Sequence, residues 1–299
     1  MKRKSIWQII LSLVLTAVIL CSCDPFFNIF SSGDEPEKEY DAKLTVHYLD
    51  VGQGDSIFIE FPNGEDMLID ASENYYGEGI IDYINEQGYN KIDYLIATHP
   101  HTDHIGSMAY IVRNIDVGSV YMPKVSTNTN QYKSLIKAIK KKGLTVKNGK
   151  AGVNVLSGDD HSADILAPKT IDESNLNNCS IVLKVVYGST SFLFVGDAGT
   201  GEMNKINKSD LAADVLKAGH HGSKTSTTKK LLKKIKPEFT VISCGKDNDY
   251  GHPHEQVLTA LENIGSRIYR TDEDKTIIIY SDGKEYTVKT GNKSIARAS

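Results

Sequence analysis

From Leu44 onward apolar and polar positions alternate. Leu44, Val46 and Tyr48 oppose Thr45, His47 and Leu49, and Ile57-Phe58-Ile59 and Met67-Leu68-Ile69 follow after turns. A period of two marks strands. Gly52-Gln53-Gly54-Asp55 and Pro62-Asn63-Gly64 supply the residues that turns between strands require. Ile80, Ile81, Tyr83 and Ile84 take helical spacing, which stops near Gly88, and Tyr94-Leu95-Ile96-Ala97 reads as a buried strand. Helices are predicted over residues 107–114 and 132–142, the second ended by Gly143. Residues 153–197 are strand-rich, with a hairpin predicted from 183–187 and 191–195 around Gly188. Helices over 227–235 and 255–264 alternate with strands over 239–243 and 277–280. Two similar halves of this kind predict an α/β fold, a four-layer αββα sandwich with sheets face to face and helices outside.

The N-terminal stretch stands apart. Lys2-Arg3-Lys4 precedes an apolar run from Ile6 to Leu20, about 15 residues against the roughly 20 that a membrane span needs. It ends at Leu20-Cys21-Ser22-Cys23, which resembles a bacterial lipobox. The expectation is a lipoprotein signal peptide over residues 1–22, with lipid added to Cys23. Residues 23–42 lack either period and read as a lipid-anchored flexible tether. The folded domain is expected over 43–290, with a C-terminal tail over 291–299. Such a protein sits on the extracytoplasmic face of a bacterial cell membrane.

Composition fits a packed core, at 40% hydrophobic and 24% charged. Net charge is −4, and removal of Lys2, Arg3 and Lys4 takes it to −7, so total charge does not draw the protein to nucleic acid. Local charge differs. Seven lysines and no acidic residue lie between Lys217 and Pro237, and seven more lie between Lys133 and Lys150. One reading is a solvated helix face. The other is a positive rim that gathers phosphate-bearing substrates. Cys179 and Cys244 do not make a disulfide framework, and Cys244, at the end of an apolar run, reads as a small core residue.

The chemistry concentrates in Thr98-His99-Pro100-His101-Thr102-Asp103-His104-Ile105-Gly106. Three histidines and an aspartate within six residues, directly after a buried strand, are the donors that Zn²⁺ or Mn²⁺ takes. The spacing offers His99 and His101 to one ion, and Asp103 and His104 to another.

This loop resembles the signature of the metallo-β-lactamase superfamily. Further stretches narrow the resemblance: Leu49-Asp50-Val51-Gly52-Gln53-Gly54-Asp55-Ser56, Leu68-Ile69-Asp70, Asn177-Asn178-Cys179-Ser180, Phe194-Val195-Gly196-Asp197, Lys217-Ala218-Gly219-His220-His221-Gly222-Ser223-Lys224-Thr225-Ser226 and Tyr250-Gly251-His252-Pro253-His254. In this order they resemble the soluble hydrolase domain of ComEC-type competence (DNA-uptake) proteins, from about residue 43 to about residue 282. The last two stretches are specific to that branch; Gly-Asp alone is a weak signal.

The resemblance implies two divalent ions, Zn or Mn. Asp197 would bridge them, and His220 or His221 would close the second site. Spacing does not order these two; His220 is the preferred ligand and His221 is expected to face substrate. Many superfamily members bring another histidine to the first ion, where this chain carries Asn177-Asn178, which implies a weaker first site. His161, after Gly158-Asp159-Asp160, reads as part of an exposed turn and is left out. A metal-bridging hydroxide is the implied nucleophile, oriented by Asp103. His252 and His254 are candidates for protonating the leaving group or binding a phosphate oxygen, and the alternative for both is a structural turn. Asn178, Ser223, Lys224 and Thr225 are expected to contact substrate, and Asp55 and Asp70 to hold ligand imidazoles in the right tautomer.

The implied function is an extracytoplasmic metal-dependent phosphodiesterase, foremost a nuclease, on a phosphate-bearing substrate such as DNA. Its rivals are hydrolysis of another envelope phosphoester, of choline-phosphate or teichoic-acid type, and a non-catalytic binding lipoprotein that keeps the fold. The membrane is met through the lipid anchor, and no protein partner is expected.

Overall fold

The computed structural model describes residues 43–298. The expected signal peptide, the lipidation of Cys23 and the tether lie outside the described residues. Alternation sends successive side chains of a strand to opposite faces, and here both faces are covered. Leu44, Val46 and Tyr48 of β1 (Leu44–Tyr48) enter the central core with Ile57 and Ile59 of β2 (Ile57–Glu60) and Met67 and Ile69 of β3 (Asp66–Ile69). Phe58 and Leu68 point the other way, into a core shared with helices.

Among the described residues the first sheet has the order β15-β14-β1-β2-β3-β4-β5-β6. Its remaining strands are β4 (Lys91–Ile96), β5 (Asp116–Met122), β6 (Val146–Asn148), β14 (Thr276–Ser281) and β15 (Tyr286–Asn292). The second sheet has the order β13-β12-β11-β10-β9-β8-β7. It comprises β7 (Asn154–Ser157), β8 (His161–Ala167), β9 (Val182–Tyr187), β10 (Thr190–Phe194), β11 (Val215–Lys217), β12 (Phe239–Ile242) and β13 (Arg267–Arg270). Phe192 and Phe194 of β10 meet Tyr48 and Ile57 between the sheets, while Leu193 faces outward.

Helices α1 (Gly77–Glu86), α2 (Met108–Asn114) and α3 (Asn130–Lys141) cover the outer face of the first sheet through Ile80, Ile84, Ile111, Leu135 and Ile139. Helices α4 (Lys229–Ile235) and α5 (Glu255–Glu262) cover the second through Leu231, Leu232, Ile235, Val257 and Leu261. The expected αββα sandwich is the fold observed. No helix among the described residues is long and apolar enough to cross a membrane.

Two local expectations differ. His161 begins β8 and is buried against Phe61, because Gly158 N–H bonds the His161 carbonyl and tightens the turn ahead of it. The stretch expected as a tail begins inside β15, and beyond it Ile295 is buried, its N–H donating to the Asp50 carbonyl at 2.9 Å.

Candidate metal centre

Parallel strands deliver side chains where they end, and five such ends converge here. β3 runs into Asp70, β4 into the loop from Thr98 to His104, β10 into Asp197, β11 into His220 and His221, and β12 into Ser243. A single helical turn, Thr102–Ile105, folds Asp103 and His104 back toward the strand ends. Gly54 makes that fold feasible. Its φ is +127°, and a Cβ there would lie 2.4 Å from the Asp103 carbonyl oxygen, so only glycine fits. Next to it, Asp55 N–H donates to that same oxygen at 3.1 Å.

Asp197 sits at the middle, buried, with its two carboxylate oxygens facing different histidines. Oδ1 lies 3.3 Å from His104 Nε2 and 3.8 Å from His221 Nε2. Oδ2 lies 3.8 Å from His99 Nε2 and 3.5 Å from His220 Nε2. His101 Nδ1 is 3.0 Å from His99 Nε2. Asp103 Oδ2 is 3.2 Å from His221 Nε2 and 3.8 Å from His104 Nε2. Donor atoms of Asp103, His104, Asp197 and His221 all lie within 4.8 Å of one another.

The structure therefore places His221, not His220, with Asp103 and His104. Both residues have left-handed backbone, φ 51° and 53°, a conformation uncommon for residues with a side chain. The resulting sharp turn sends the two rings to opposite oxygens of Asp197. His221 is the buried ring, whereas His220 is partly exposed at the cleft.

Hydrogen bonds behind the ring nitrogens set the tautomers. His221 Nδ1–H donates to the Ser243 carbonyl at 3.0 Å, with Asp55 Oδ1 at 3.3 Å. His104 Nδ1–H donates to Asp70 Oδ2 at 2.7 Å. Thr98 gives its hydroxyl proton to Asp70 at 2.6 Å, so its oxygen accepts from His99 Nδ1 at 3.2 Å. In the neutral ring each Nε2 then carries the lone pair and faces Asp197. His104 Nε2 and Asp197 Oδ1 are buried with no hydrogen-bond partner. Leaving such atoms unpaired is costly, and a divalent cation would satisfy both. The donor set fits a metal.

Protons compete with a cation for these nitrogens. Burial opposes ionisation of Asp197, yet His104 and His221 hold its carboxyl well below the usual range. Burial likewise opposes charge on His221, but Asp197, Asp103 and Asp55 raise its pKa to about 9. Burial and neighbouring histidines keep His99 well below its ordinary value. Lys217 is completely buried, its Nζ 2.8 Å from Asp55 Oδ1, and so does not belong to a positive rim.

A cleft of about 340 Å³ opens over the centre, lined by Gln53, His101, Thr102, Asp103, Asn177, Asp197, His220, His221, Tyr250 and His252. His252 is thus brought to the site. His254 is not, and stands behind it: its ring is 4.9 Å from that of His252, and its Nδ1 accepts from Lys224 N–H at 3.4 Å. Asn178 also turns away, donating to Asp172 and accepting from Gly199 N–H, and Asn177 faces the cleft instead. Ser223 and Thr225 bond each other, and Lys224 faces a separate groove between α4 and α5. Gln53, Asn177 and Tyr250 lie in the motif stretches, but the sequence assigns none of them a place facing substrate. Tyr250 carried a weak signal, as the aromatic start of the Tyr-Gly-His-Pro-His stretch.

The family description "Metallo-beta-lactamase superfamily" matches residues 49–246. ComE operon protein 3 of Bacillus subtilis is 34% identical over 251 residues, covering 78% of this chain and 32% of that protein. Competence protein ComA of Neisseria gonorrhoeae is 28% identical over 240 residues, covering 79% of this chain and 32% of that protein. The chain spans about a third of the length of these curated relatives. Among solved structures, CmlA, a diiron β-hydroxylase from Streptomyces venezuelae, superposes with a TM-score of 0.52 at 16% identity, covering 79% of this chain and 53% of CmlA. That likeness concerns the fold.

Proposed function

Because the chain belongs to the metallo-beta-lactamase superfamily, we propose that it is a two-metal phosphodiesterase acting on nucleic acid. Asp103, His104, Asp197 and His221 would hold one divalent ion. His99, His101 and Asp197 would hold the other, with His220 beside them. The observation that carries this reading is Asp197, whose two buried oxygens serve two separate sets of histidines. CmlA, which shares the fold, is named for two irons.

Charge supports two ions. Asp55, Asp70 and Asp197 are buried and Asp103 is mostly covered, while Lys217 is the one buried lysine or arginine among the described residues. With the histidines neutral, as metal ligands are, four carboxylates against one ammonium leave three negative charges in a low-dielectric pocket. Two divalent cations would offset them and leave the centre receptive to an anion.

When bound, such ions activate water and neutralise charge on an attacked phosphoryl group. The chain's own residues do the rest. Asp55, Asp70, Thr98 and Ser243 fix the ligand rings. Asp103, which reaches the cleft, orients the attacking group. Burial, with His221 and His220 nearby, pulls the His252 pKa down to about 4, so at neutral pH it is a hydrogen-bonding group for a substrate oxygen and not an acid. The name of one relative, Competence protein ComA, favours nucleic acid over other phosphoesters. We also infer lipid anchoring outside the cytoplasm from the Leu20-Cys21-Ser22-Cys23 stretch; Cys23→Ala should release the protein from membranes.

The test is hydrolysis of DNA and of bis(p-nitrophenyl) phosphate with Mn²⁺ or Zn²⁺. Cleavage that disappears in folded Asp103→Ala supports the reading. Undiminished turnover in that variant refutes it.

A further inference from the structure

Three neighbouring parallel strands end beside the metal centre. β4 leads into His99 and His101, β5 ends two residues before Lys124, and β6 ends two residues before Lys150. These ends are joined. Ala97 N–H bonds the Tyr121 carbonyl at 2.9 Å, and Gly149 N–H bonds the Met122 carbonyl at 2.8 Å. Since adjacent strands lie about 4.8 Å apart, Lys124 and Lys150 follow the metal loop in steps of one strand spacing. Between β5 and β6 runs α3, which carries Lys133, Lys137, Lys140 and Lys141 at positions i, i+4, i+7 and i+8, all exposed.

The whole segment over residues 117–158 holds eight lysines and no acidic residue, while the other 26 of the 34 basic residues face all 38 acidic ones. Charge is therefore segregated onto one edge of the first sheet. Lys142 is engaged by Asp116 at 3.5 Å, and Lys147 donates to Ser119 while lying over Tyr121. The other six lysines have no ion-pair partner among the described residues. A helix face that merely seeks water interleaves glutamates with its lysines. Here like charges at i, i+4 oppose one another, which destabilises α3 slightly. The edge also carries a cleft of about 530 Å³ lined by Lys124, Ser126, Tyr132 and Asn148, with Glu173 its one acidic residue.

We infer that this edge is a track for the phosphate backbone of a nucleic-acid strand, Lys124 and Lys150 holding phosphates next to the scissile one and Lys133, Lys137 and Lys140 those farther out. The inference rests on the phosphodiesterase reading and names its substrate path. Such contacts are independent of base sequence and release counterions, so affinity falls with salt.

The experiment measures fluorescence anisotropy of a labelled thymidine oligomer with the full chain at several salt concentrations. It compares wild type with the quintuple variant Lys124→Gln, Lys133→Gln, Lys137→Gln, Lys140→Gln and Lys150→Gln, checked by its melting temperature. The variant should bind at least about tenfold more weakly at low salt, with a log–log salt slope shallower by about 3.5. Its turnover of bis(p-nitrophenyl) phosphate should match wild type. Equal affinity and slope in the two proteins would overturn the track. So would binding of phosphatidylglycerol vesicles, but not the oligomer, through these lysines, which would assign the edge to a membrane. Lysine-dependent binding by a wild type that hydrolyses neither substrate would uphold the track and refute the phosphodiesterase reading.

Discussion

Lys217 and Asp55 form an ion pair sealed from water, Nζ 2.8 Å from Oδ1, and that same oxygen lies 3.3 Å from His221 Nδ1. A lysine is buried in this way only when its charge has a partner. The pair ties β11 to the Gly54-Asp55 turn and thereby to the carbonyl of Asp103.

Removing one partner leaves a buried charge uncompensated. Lys217→Met should destabilise the fold by about 3–5 kcal/mol in denaturant melts. It should also weaken the ion held at His221 by roughly 10–100-fold in equilibrium dialysis, as loss of a supporting contact does. Wild-type metal affinity in the folded variant would show that the pair is purely structural.

His220 and His221 separate by their positions. His221→Ala should cost one ion per chain, since its ring completes the set with Asp103 and His104. His220→Ala should keep that ion and lose turnover. Mass spectrometry of the native protein counts the ions; the reverse outcome would restore the order expected from sequence.

Gly54→Ala puts a methyl group 2.4 Å from the Asp103 carbonyl at a φ of +127°. Backbone must move, and a loss of about 2–4 kcal/mol with loosened metal binding is expected. Wild-type stability would mean that the turn has room the packing does not show.

Far from the cleft, Asp66 is buried, and desolvation raises its pKa to about 7 even though the Asp93 N–H donates to its carboxylate. A carboxyl with a raised folded-state pKa contributes stability below its unfolded value, and that contribution is lost as pH climbs through about 7. Asp66→Asn should therefore stabilise the protein at pH 8, on the order of 1–2 kcal/mol, and change little at pH 4. Chemical denaturation at the two pH values decides; an equal effect at both would remove the ionisation argument.

The sandwich was legible because its central strands alternate between two buried faces, as Leu44, Val46 and Tyr48 do. Five strands left no pattern: β6, β13 and β15 are sheet edges, where Arg267-Ile268-Tyr269-Arg270 needs apolar residues on one side only, while β5 and β11 are interior, β5 interrupted by Gly118-Ser119 and β11 only three residues long. His99, His101, Asp103, His104 and Asp197 were legible as donors because they cluster next to apolar runs. The order of His220 and His221 was not, since spacing does not reveal two successive left-handed residues. Asn178 and His254 have the right chemistry, but their side chains hold loops. The role of Lys217 was hidden because a lysine among lysines looks like surface.

The most direct test counts divalent ions per chain in wild type and in Asp197→Asn after loading with Zn²⁺ or Mn²⁺ and dialysis. Two ions in wild type and fewer than one in the variant are predicted, because one carboxylate serves both positions. Two ions retained without that carboxylate, or a single ion in wild type, would contradict the two-metal centre.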